Sequence, residues 1–124
     1  MKEILAVIRM NKMNQTKKAL LGAGVPAFFA HEASGRGKGL VNAVVAEGAA
    51  KGYQEAAEVL GDKGKLFAKR VVSVVVTDDK VDPVVQALIS ANQTGNAGDG
   101  KIFILPVADS VRVRTGENGA CSIE

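Results

Sequence analysis

Apolar residues along the chain fall into short runs that alternate with helical repeats, and this order predicts the secondary structure. Many of the β-branched residues fall in the runs at 4–8, 66–77 and 102–107, which is typical of strands, and a further strand-like run lies at 25–33. Apolar positions recur at helical spacing over 16–23 and again over 81–92. We therefore expect four main strands and two amphipathic helices, with Asn14 and Asp82 as the N-caps of the helices.

The order of these elements predicts the fold. It reads β-α-β, a long loop, β-α-β and a short last strand at 111–113. Two β-α-β units of similar length are typical of the α+β, ferredoxin-like split β-α-β sandwich (βαββαβ), whose helices cover one face of the sheet. Alternate Val and Ile residues would leave the other face apolar, so we expect a closed homo-oligomer. With 124 residues, the chain is one domain.

The segment 34–65 has a different composition from the rest of the chain. It holds half of the 14 glycines, and its positive and negative residues nearly cancel. Its middle repeats apolar residues at helical spacing from Val45 to Leu60, although Gly48 and Gly52 weaken such a helix. Two interpretations remain open: a helix packed on the domain, or a segment that becomes ordered against a partner.

Composition excludes several classes of function. The net charge of +3 is small, and no Lys/Arg block or interleaved aromatic residues indicate nucleic acid. The apolar runs are too short for membrane insertion. Cys121 is the only cysteine, which fits a reducing cytoplasm, and His31 has no second ligand at metal-site spacing. No Ser/His/Asp set or Cys/His pair indicates an enzyme.

The chemistry-bearing stretch is 94–101, with the sequence TGNAGDGK. Its three glycines leave backbone N–H groups uncovered and Lys101 adds a positive charge, a combination that suits a phosphate. It nearly matches the P-loop pattern, but Ile102 replaces the required Ser or Thr, and a strand follows instead of a helix. Taken alone, the stretch is either a phosphate cradle or a glycine-rich turn.

Other basic residues could share a phosphate with this stretch. They are Arg112 and Arg114 in alternation on the last strand, the run Gly35-Arg36-Gly37-Lys38-Gly39, and Lys69. The long loop connects strands that are neighbours in this fold, so its stem lies at one edge of the sheet. If one subunit's glycine stretch faced another subunit's stem, a nucleotide would bind between the two subunits.

These residues also carry a family resemblance. The stretch TGNAGDGKIF at 94–103, followed by RVRTGE at 112–117, closely resembles the C-terminal signature of the PII (GlnB/GlnK-type) nitrogen signal-transduction proteins. Glu32 to Gly39 resembles the start of the family's T-loop, which places the T-loop at about 34–65 and the C-terminal strand and tail at 110–124. The resemblance implies a homotrimer that binds ATP or ADP between subunits, senses 2-oxoglutarate with Mg-ATP, and contacts its target through the T-loop.

The resemblance assigns roles residue by residue. The implied nucleotide-binding residues are Gly35, Gly37, Lys38, Val75, Gly98, Asp99, Gly100, Lys101, Arg112 and Arg114. The implied 2-oxoglutarate-binding residues are Lys69 and Gly39. The family's stem usually reads G-[FY]-G-R-Q-K-G, and its Gln helps to hold Mg²⁺ and 2-oxoglutarate. No Gln stands in Gly35–Gly39, so we expect no side-chain ligand for the metal there.

The altered T-loop also resembles that of the nitrogenase-associated NifI-type subgroup. That likeness implies a regulator that controls the dinitrogenase component of nitrogenase, as a homotrimer or with a second PII-type subunit. One alternative is a general PII regulator of an ammonium channel or a nitrogen-assimilation enzyme. Another is a structural trimer that binds no ligand.

Overall fold

A computed structural model describes residues 1–37 and 66–123 of the chain. In order, the main elements are β1 (Lys2–Arg9), α1 (Met13–Gly22), β2 (Phe29–Gly35), β3 (Phe67–Val76), α2 (Val81–Asn92) and β4 (Lys101–Pro106). One-turn 3₁₀ segments precede both helices, at Met10–Lys12 and Asp78–Lys80, and a third lies at Ala120–Ile123. No helix in these two ranges combines the length and apolar character needed to cross a bilayer.

The four strands form one antiparallel sheet in the order β2-β3-β1-β4. This is the predicted ferredoxin-like split β-α-β arrangement, which is therefore confirmed. β2 and β3 are neighbours, and their pairing continues to Gly35 opposite Phe67. The predicted T-loop thus leaves the sheet from a paired stem. The helical repeat predicted at 45–60 lies outside the described residues.

The core lies between the two helices and one face of the sheet. Alternate residues of β1 and β3 supply the sheet side, where Ile4 and Val72 are fully buried and Val74 is nearly so. Leu20 of α1 and Leu88 of α2 cover them. Full burial of one such side chain contributes about 1.5–3 kcal/mol to stability. This gain explains why the apolar side of the strands and the apolar side of the helices face each other.

The opposite face of the sheet, called the outer face here, is largely apolar, and neither of the two described helices packs against it. The strand register places Phe29, Ser73, Leu5 and Phe103 in one row across all four strands. Phe29 is 76% exposed and Phe103 is 48% exposed. A monomer rarely leaves aromatic residues exposed across a whole sheet, so the outer face has the character of a contact between subunits.

The predicted N-caps are wrong, for one shared reason. A 3₁₀ turn leads directly into each helix, so the N-cap residues are Lys12 and Lys80. Neither of them makes a side-chain capping hydrogen bond. Asn14 and Asp82 already lie inside the first helical turn. The preceding turn positions the chain, and no side-chain cap is needed.

β2 begins four residues later than predicted, because the chain first has to terminate α1. The N–H of Val25 bonds to the carbonyl of Leu20 at 2.9 Å, and the N–H of Gly24 bonds to that of Leu21 at 3.0 Å. These bonds satisfy free carbonyls at the helix end, with Gly24 in the left-handed region at φ +80°. Val25 therefore bonds to the end of α1 and is not part of β2.

The short strand predicted at 111–113 does not form. Val111 makes only an isolated antiparallel bridge with Asn118. The N–H of Gly116 bonds to the Arg112 carbonyl at 2.7 Å, and the N–H of Arg112 bonds to the Glu117 carbonyl at 2.8 Å, which closes a turn. Arg112 and Arg114 are therefore not displayed by period-two spacing on a strand face.

Candidate anion site at the glycine loop

The glycine loop, Thr94–Lys101, connects the end of α2 to the start of β4. Gly95, Gly98 and Gly100 all have positive φ, at +84°, +97° and +108°. Gly100 also packs against β1: a Cβ built there would lie 1.8 Å from the Val7 carbonyl oxygen. No side chain fits at that distance, so glycine at position 100 is required for the loop to rest on the sheet.

Asp99 organises the loop from within. Its Oδ2 accepts the backbone N–H groups of Thr94, at 2.7 Å, and Gly95, at 2.9 Å. Its Oδ1 accepts the Thr94 hydroxyl and, at 2.6 Å, a guanidinium N–H of Arg9. Both carboxylate oxygens are thus occupied by loop and strand donors. Asp99 belongs to the site because it closes the loop, and its carboxylate has no oxygen left to hold a metal ion.

Two cations from neighbouring strands fix the other side of the loop. Arg9 of β1 is directly opposite Lys69 of β3. The Arg9 guanidinium donates to the Ala97 carbonyl at 2.9 Å, and the Lys69 ammonium donates to the Gly98 carbonyl at 2.9 Å. Two successive carbonyls are therefore turned toward the cations.

This orientation has a direct consequence for the backbone N–H groups. In a trans peptide the C=O and the following N–H point in opposite directions, and the chain contains no cis peptide bond among its described residues. The N–H groups of Gly98 and Asp99 are therefore directed away from Arg9 and Lys69. The Gly98 N–H has no acceptor among residues 1–37 and 66–123, and the Asp99 N–H makes only the weak contact with the Asn96 carbonyl that defines the turn at residues 97–98. Adjacent N–H groups turned to the same side in this way can form a nest for an anion.

The ionisation of the site follows from these contacts. Hydrogen bonds from the Thr94 hydroxyl and backbone, then from Arg9, hold the pKa of Asp99 well below its usual range. Burial, followed by repulsion from Arg9, lowers the pKa of Lys69, and the Asp99 charge opposes that shift. A nearby anion would therefore stabilise the charged form of Lys69.

The structure brings together only some of the predicted site residues. Gly98, Asp99, Gly100 and Lys101 lie in the loop, and Lys69 bonds to it. Gly35 ends β2, Val75 lies in β3 on the outer face opposite Glu3, and Gly37 is the last described residue before the gap. Lys38 and Gly39 lie outside the described residues.

Arg112 is held in the C-terminal segment. Its guanidinium contacts the Glu117 carboxylate at 3.3 Å and donates to the Cys121 carbonyl at 2.8 Å. Both of these contacts are made within the C-terminal segment of its own chain. The structure therefore does not show the convergence of Arg112 on the glycine loop that the sequence suggested.

Sequence reasoning missed Arg9 and the anchoring role of Thr94. A signal existed for each of them. Arg9 is the one charged residue that directly follows the apolar run of the first strand, and Thr94 precedes an Asp by five positions. Neither spacing specifies a contact by itself, because the strand pairing and the loop closure decide which groups meet.

Comparison with known proteins gives a consistent result. The family model for "Nitrogen regulatory protein P-II" matches residues 1–117. The chain is 40% identical over 126 residues to the "Nitrogen fixation nifHD region glnB-like protein 2" of Methanococcus maripaludis, covering 99% of this chain and 100% of that protein. The counterpart of that name in Methanothermococcus thermolithotrophicus is 43% identical over 126 residues, with 99% and 98% covered.

Two further proteins extend this comparison. The "Nitrogen regulatory protein P-II" of Cereibacter sphaeroides is 39% identical over 119 residues, covering 96% of each chain. The crystal structure of Arabidopsis thaliana PII bound to citrate superimposes with a TM-score of 0.74 at 29% identity, covering 99% of this chain and 89% of that one. The chain belongs to the nitrogen regulatory protein P-II family, whose members are regulatory signal-transduction proteins and not enzymes, and it resembles the members named for the nifHD nitrogen-fixation region.

Proposed function

We propose that the protein is a nitrogen-status sensor that binds ATP or ADP at the glycine loop. The observation that carries the proposal is the orientation of the Gly98 and Asp99 N–H groups, which Arg9 and Lys69 fix by holding the two preceding carbonyls. The phosphates bind to this nest, and the exposed Lys101 supplies a positive charge beside it. Mg²⁺ accompanies ATP and is held by the phosphates, because Asp99 has no free oxygen.

The nucleotide site is completed between subunits. Three copies associate through their outer faces, which covers the row from Phe29 to Phe103. A neighbouring copy supplies Arg112 and Arg114 to the phosphates, while Gly35, Gly37 and Lys38 of the T-loop stem and Val75 complete the same cleft. The need for a second copy is supported by the position of Arg112, which in its own chain bonds within the C-terminal segment.

Nucleotide titration tests this proposal. Lys101→Ala and Arg112→Ala should each weaken ATP binding about tenfold or more, because each removes a charge-assisted bond to phosphate. Isothermal titration calorimetry provides the measurement, with Lys17→Ala on the exposed face of α1 as the control. Wild-type affinity in both variants would show that the glycine loop is not the phosphate site. No binding of ATP or ADP by the wild type at millimolar concentration would support a structural trimer without a ligand.

Association through the outer face is testable separately. Phe103→Glu should convert the trimer to a monomer, since a charge would be buried among apolar residues at the contact. Sedimentation velocity measures the change, with Leu21→Glu on α1, where the side chain is 64% exposed, as the control. An unchanged oligomer in Phe103→Glu would place the contact elsewhere.

The second effector in this proposal is 2-oxoglutarate, bound by Lys69 with Gly39 in the T-loop stem. The lysine lies beside Arg9, so two cations face one small dianion. Binding of a carboxylate by a relative, the citrate complex of the Arabidopsis protein, supports an anionic effector in this fold.

The pKa of Lys69 predicts a pH dependence for this effector. Because burial lowers that pKa, affinity for 2-oxoglutarate should be full below it and should fall as pH rises through it, at a lower pH than an ordinary lysine allows. Lys69→Arg should remove this loss, since arginine stays charged. Titrations in the presence of Mg-ATP between neutral and alkaline pH measure the difference. A wild-type affinity that is flat over this range would contradict the assignment.

The proposed target is nitrogenase, contacted through the T-loop at about 34–65 in the cytoplasm. The names of the relatives from the nifHD region support it. Binding of the dinitrogenase component inhibits the enzyme, and ATP with 2-oxoglutarate relieves the block. The working oligomer is the homotrimer or a mixed assembly with a second PII-type subunit.

Affinity capture from extracts of nitrogen-fixing cells distinguishes the targets. We expect the dinitrogenase component to be recovered without effectors and to be released by Mg-ATP with 2-oxoglutarate. The relative named only as a P-II protein favours the general regulator as the alternative. Recovery of an ammonium channel or an assimilatory enzyme, with no nitrogenase, would favour that alternative.

A further inference from the structure

The C-terminal segment, residues 109–123, closes on itself beyond β4. Its base is held by Asp109, whose Oδ1 accepts the backbone N–H groups of Ser110, at 2.8 Å, and Gly119, at 3.1 Å. The Gly119 N–H also bonds to the Ser110 carbonyl at 3.0 Å, and the Ser122 hydroxyl donates to the same carbonyl at 2.9 Å. These bonds hold the two ends of the segment together, so the residues between them form a closed loop.

This closure brings two acceptors against the guanidinium of Arg112. Its Nη1 contacts the Glu117 carboxylate at 3.3 Å, and its Nη2 donates to the Cys121 carbonyl at 2.8 Å. The first acceptor directly follows the turn closed by the Gly116 N–H, and the second lies in the 3₁₀ segment Ala120–Ile123. Both terminal nitrogens of the guanidinium are therefore engaged within the C-terminal segment.

These internal contacts compete with the binding of a phosphate. An arginine holds a phosphate best through two parallel N–H···O bonds from its planar fork, and it binds a carboxylate in the same way. A two-bond contact with phosphate therefore competes for the nitrogens that Glu117 and Cys121 use. The Glu117 carboxylate also repels a phosphate at this place, because both groups are negatively charged.

The segment treats its two arginines differently. The side chain of Arg112 is 26% exposed, whereas Arg114 is exposed and follows Val113, which is 99% exposed. One of the two arginines assigned to the phosphates is thus covered, and the other is accessible. The Glu117 side chain is 48% exposed, so its contact with Arg112 is weak enough to be exchanged for a contact with phosphate.

We propose that the C-terminal segment is an autoinhibitory clamp on the nucleotide site. Without nucleotide, the Glu117 carboxylate and the Cys121 carbonyl hold Arg112. When ATP binds, its phosphates replace these two acceptors and Glu117 is released. This inference rests on the proposed nucleotide site, because it assumes that Arg112 binds phosphate. It adds that the segment lowers the affinity for ATP and exchanges its contacts when ATP binds.

Removal of the Glu117 carboxylate tests the clamp in the full-length protein. Glu117→Ala should raise the affinity for ATP about threefold, the scale expected for an ion pair of this exposure. The loop should stay closed, because the N–H and the carbonyl of residue 117 keep their hydrogen bonds. Asp79→Ala, in an exposed turn, removes the same charge and should raise the affinity less. Isothermal titration calorimetry with Mg-ATP measures both variants.

Amide hydrogen exchange provides a second, independent measurement. If the clamp and the phosphates compete for Arg112, ATP must weaken the clamp by the same factor by which the clamp weakens ATP binding. The Ser122 N–H bonds to the Gly119 carbonyl at 3.0 Å, and its exchange should be faster in saturating ATP. In Glu117→Ala the exchange should be faster already without nucleotide, and ATP should add less.

The outcomes separate this inference from the proposed function. Normal ATP binding by the wild type, with no higher affinity in Glu117→Ala than in Asp79→Ala, would overturn the clamp and leave the nucleotide site intact. Unchanged or slower exchange at Ser122 in saturating ATP would overturn the clamp in the same way. Binding of ATP by Glu117→Ala alone would support the clamp most strongly. No binding of ATP by the wild type or by Glu117→Ala would reject the nucleotide site, and the clamp with it.

Discussion

Replacement of Gly100 by alanine is expected to destabilise the fold by about 3 kcal/mol or more and to abolish ATP binding. Two separate effects add at this position. The backbone has φ +108°, where an L side chain is strained, and the new Cβ would lie 1.8 Å from the Val7 carbonyl oxygen. The obstacle is backbone of the central strand β1 and cannot rotate aside, so the loop has to move away from the sheet. Movement of the loop would also break the contacts from Arg9 and Lys69.

Gly95→Ala is the matched control for this experiment. Gly95 also has positive φ, at +84°, but a Cβ there would meet no atom within 4 Å. Its substitution should therefore cost only the conformational strain, about 1–2 kcal/mol. Urea unfolding and ATP titration of both variants separate strain from steric exclusion. Equal stability losses in the two variants would show that the approach to Val7 is not limiting.

Asp99→Asn is expected to weaken ATP binding about tenfold or more without a direct contact between residue 99 and the nucleotide. The carboxylate accepts four donors, and an amide would present its own N–H groups to some of them. The loop would open, the carbonyls of Ala97 and Gly98 would no longer be held by the cations, and the anion nest would be lost. Calorimetry measures the affinity, with Asp79→Asn in an exposed turn as the control.

The same substitution has a signature in pH. Since the pKa of Asp99 is lowered in the folded protein, its stabilising effect is fully present above the unfolded-state pKa of about 3.9 and is lost as pH falls through the lower folded value. The stability difference between wild type and Asp99→Asn should therefore be constant near neutrality and shrink only in strong acid. The pKa values of Asp78 and Asp109 are also lowered, so the difference between the two proteins, not the wild-type curve alone, isolates Asp99. A difference that disappears already at mildly acid pH would contradict the network.

Much of the fold could be predicted because the apolar periodicity is simple. The alternation in β1 and β3 and the helical stripe through Leu20 and Leu88 correspond directly to the buried face. Element boundaries were less predictable. The predicted caps at Asn14 and Asp82 were wrong because a 3₁₀ turn leads into each helix. Val25 does not belong to β2 because its N–H bonds to a carbonyl at the end of α1.

The residues of the candidate site were likewise predictable only in part. The glycines and Lys101 were recognisable because positive φ and uncovered N–H groups are properties of single residues. Arg9 was not recognisable, because its role depends on a partner 90 positions away in the chain. Arg112 was predicted to display its charge from a strand, and a turn closed by Gly116 places it against Glu117 and the Cys121 carbonyl instead.

By itself, the sequence determined the order of the elements, the one-sided burial of the sheet and the location of the glycine loop, because these follow from local periodicity and backbone freedom. Only the tertiary structure decided which groups orient that loop. Pairing of β1 with β3 places Arg9 opposite Lys69, and these two cations turn the carbonyls of Ala97 and Gly98 so that the next N–H groups point outward. Packing of α2 against α1 likewise buries Asn92 with one unsatisfied oxygen. Contacts between residues distant in sequence have no local pattern, and the orientation of the glycine loop arises from such contacts.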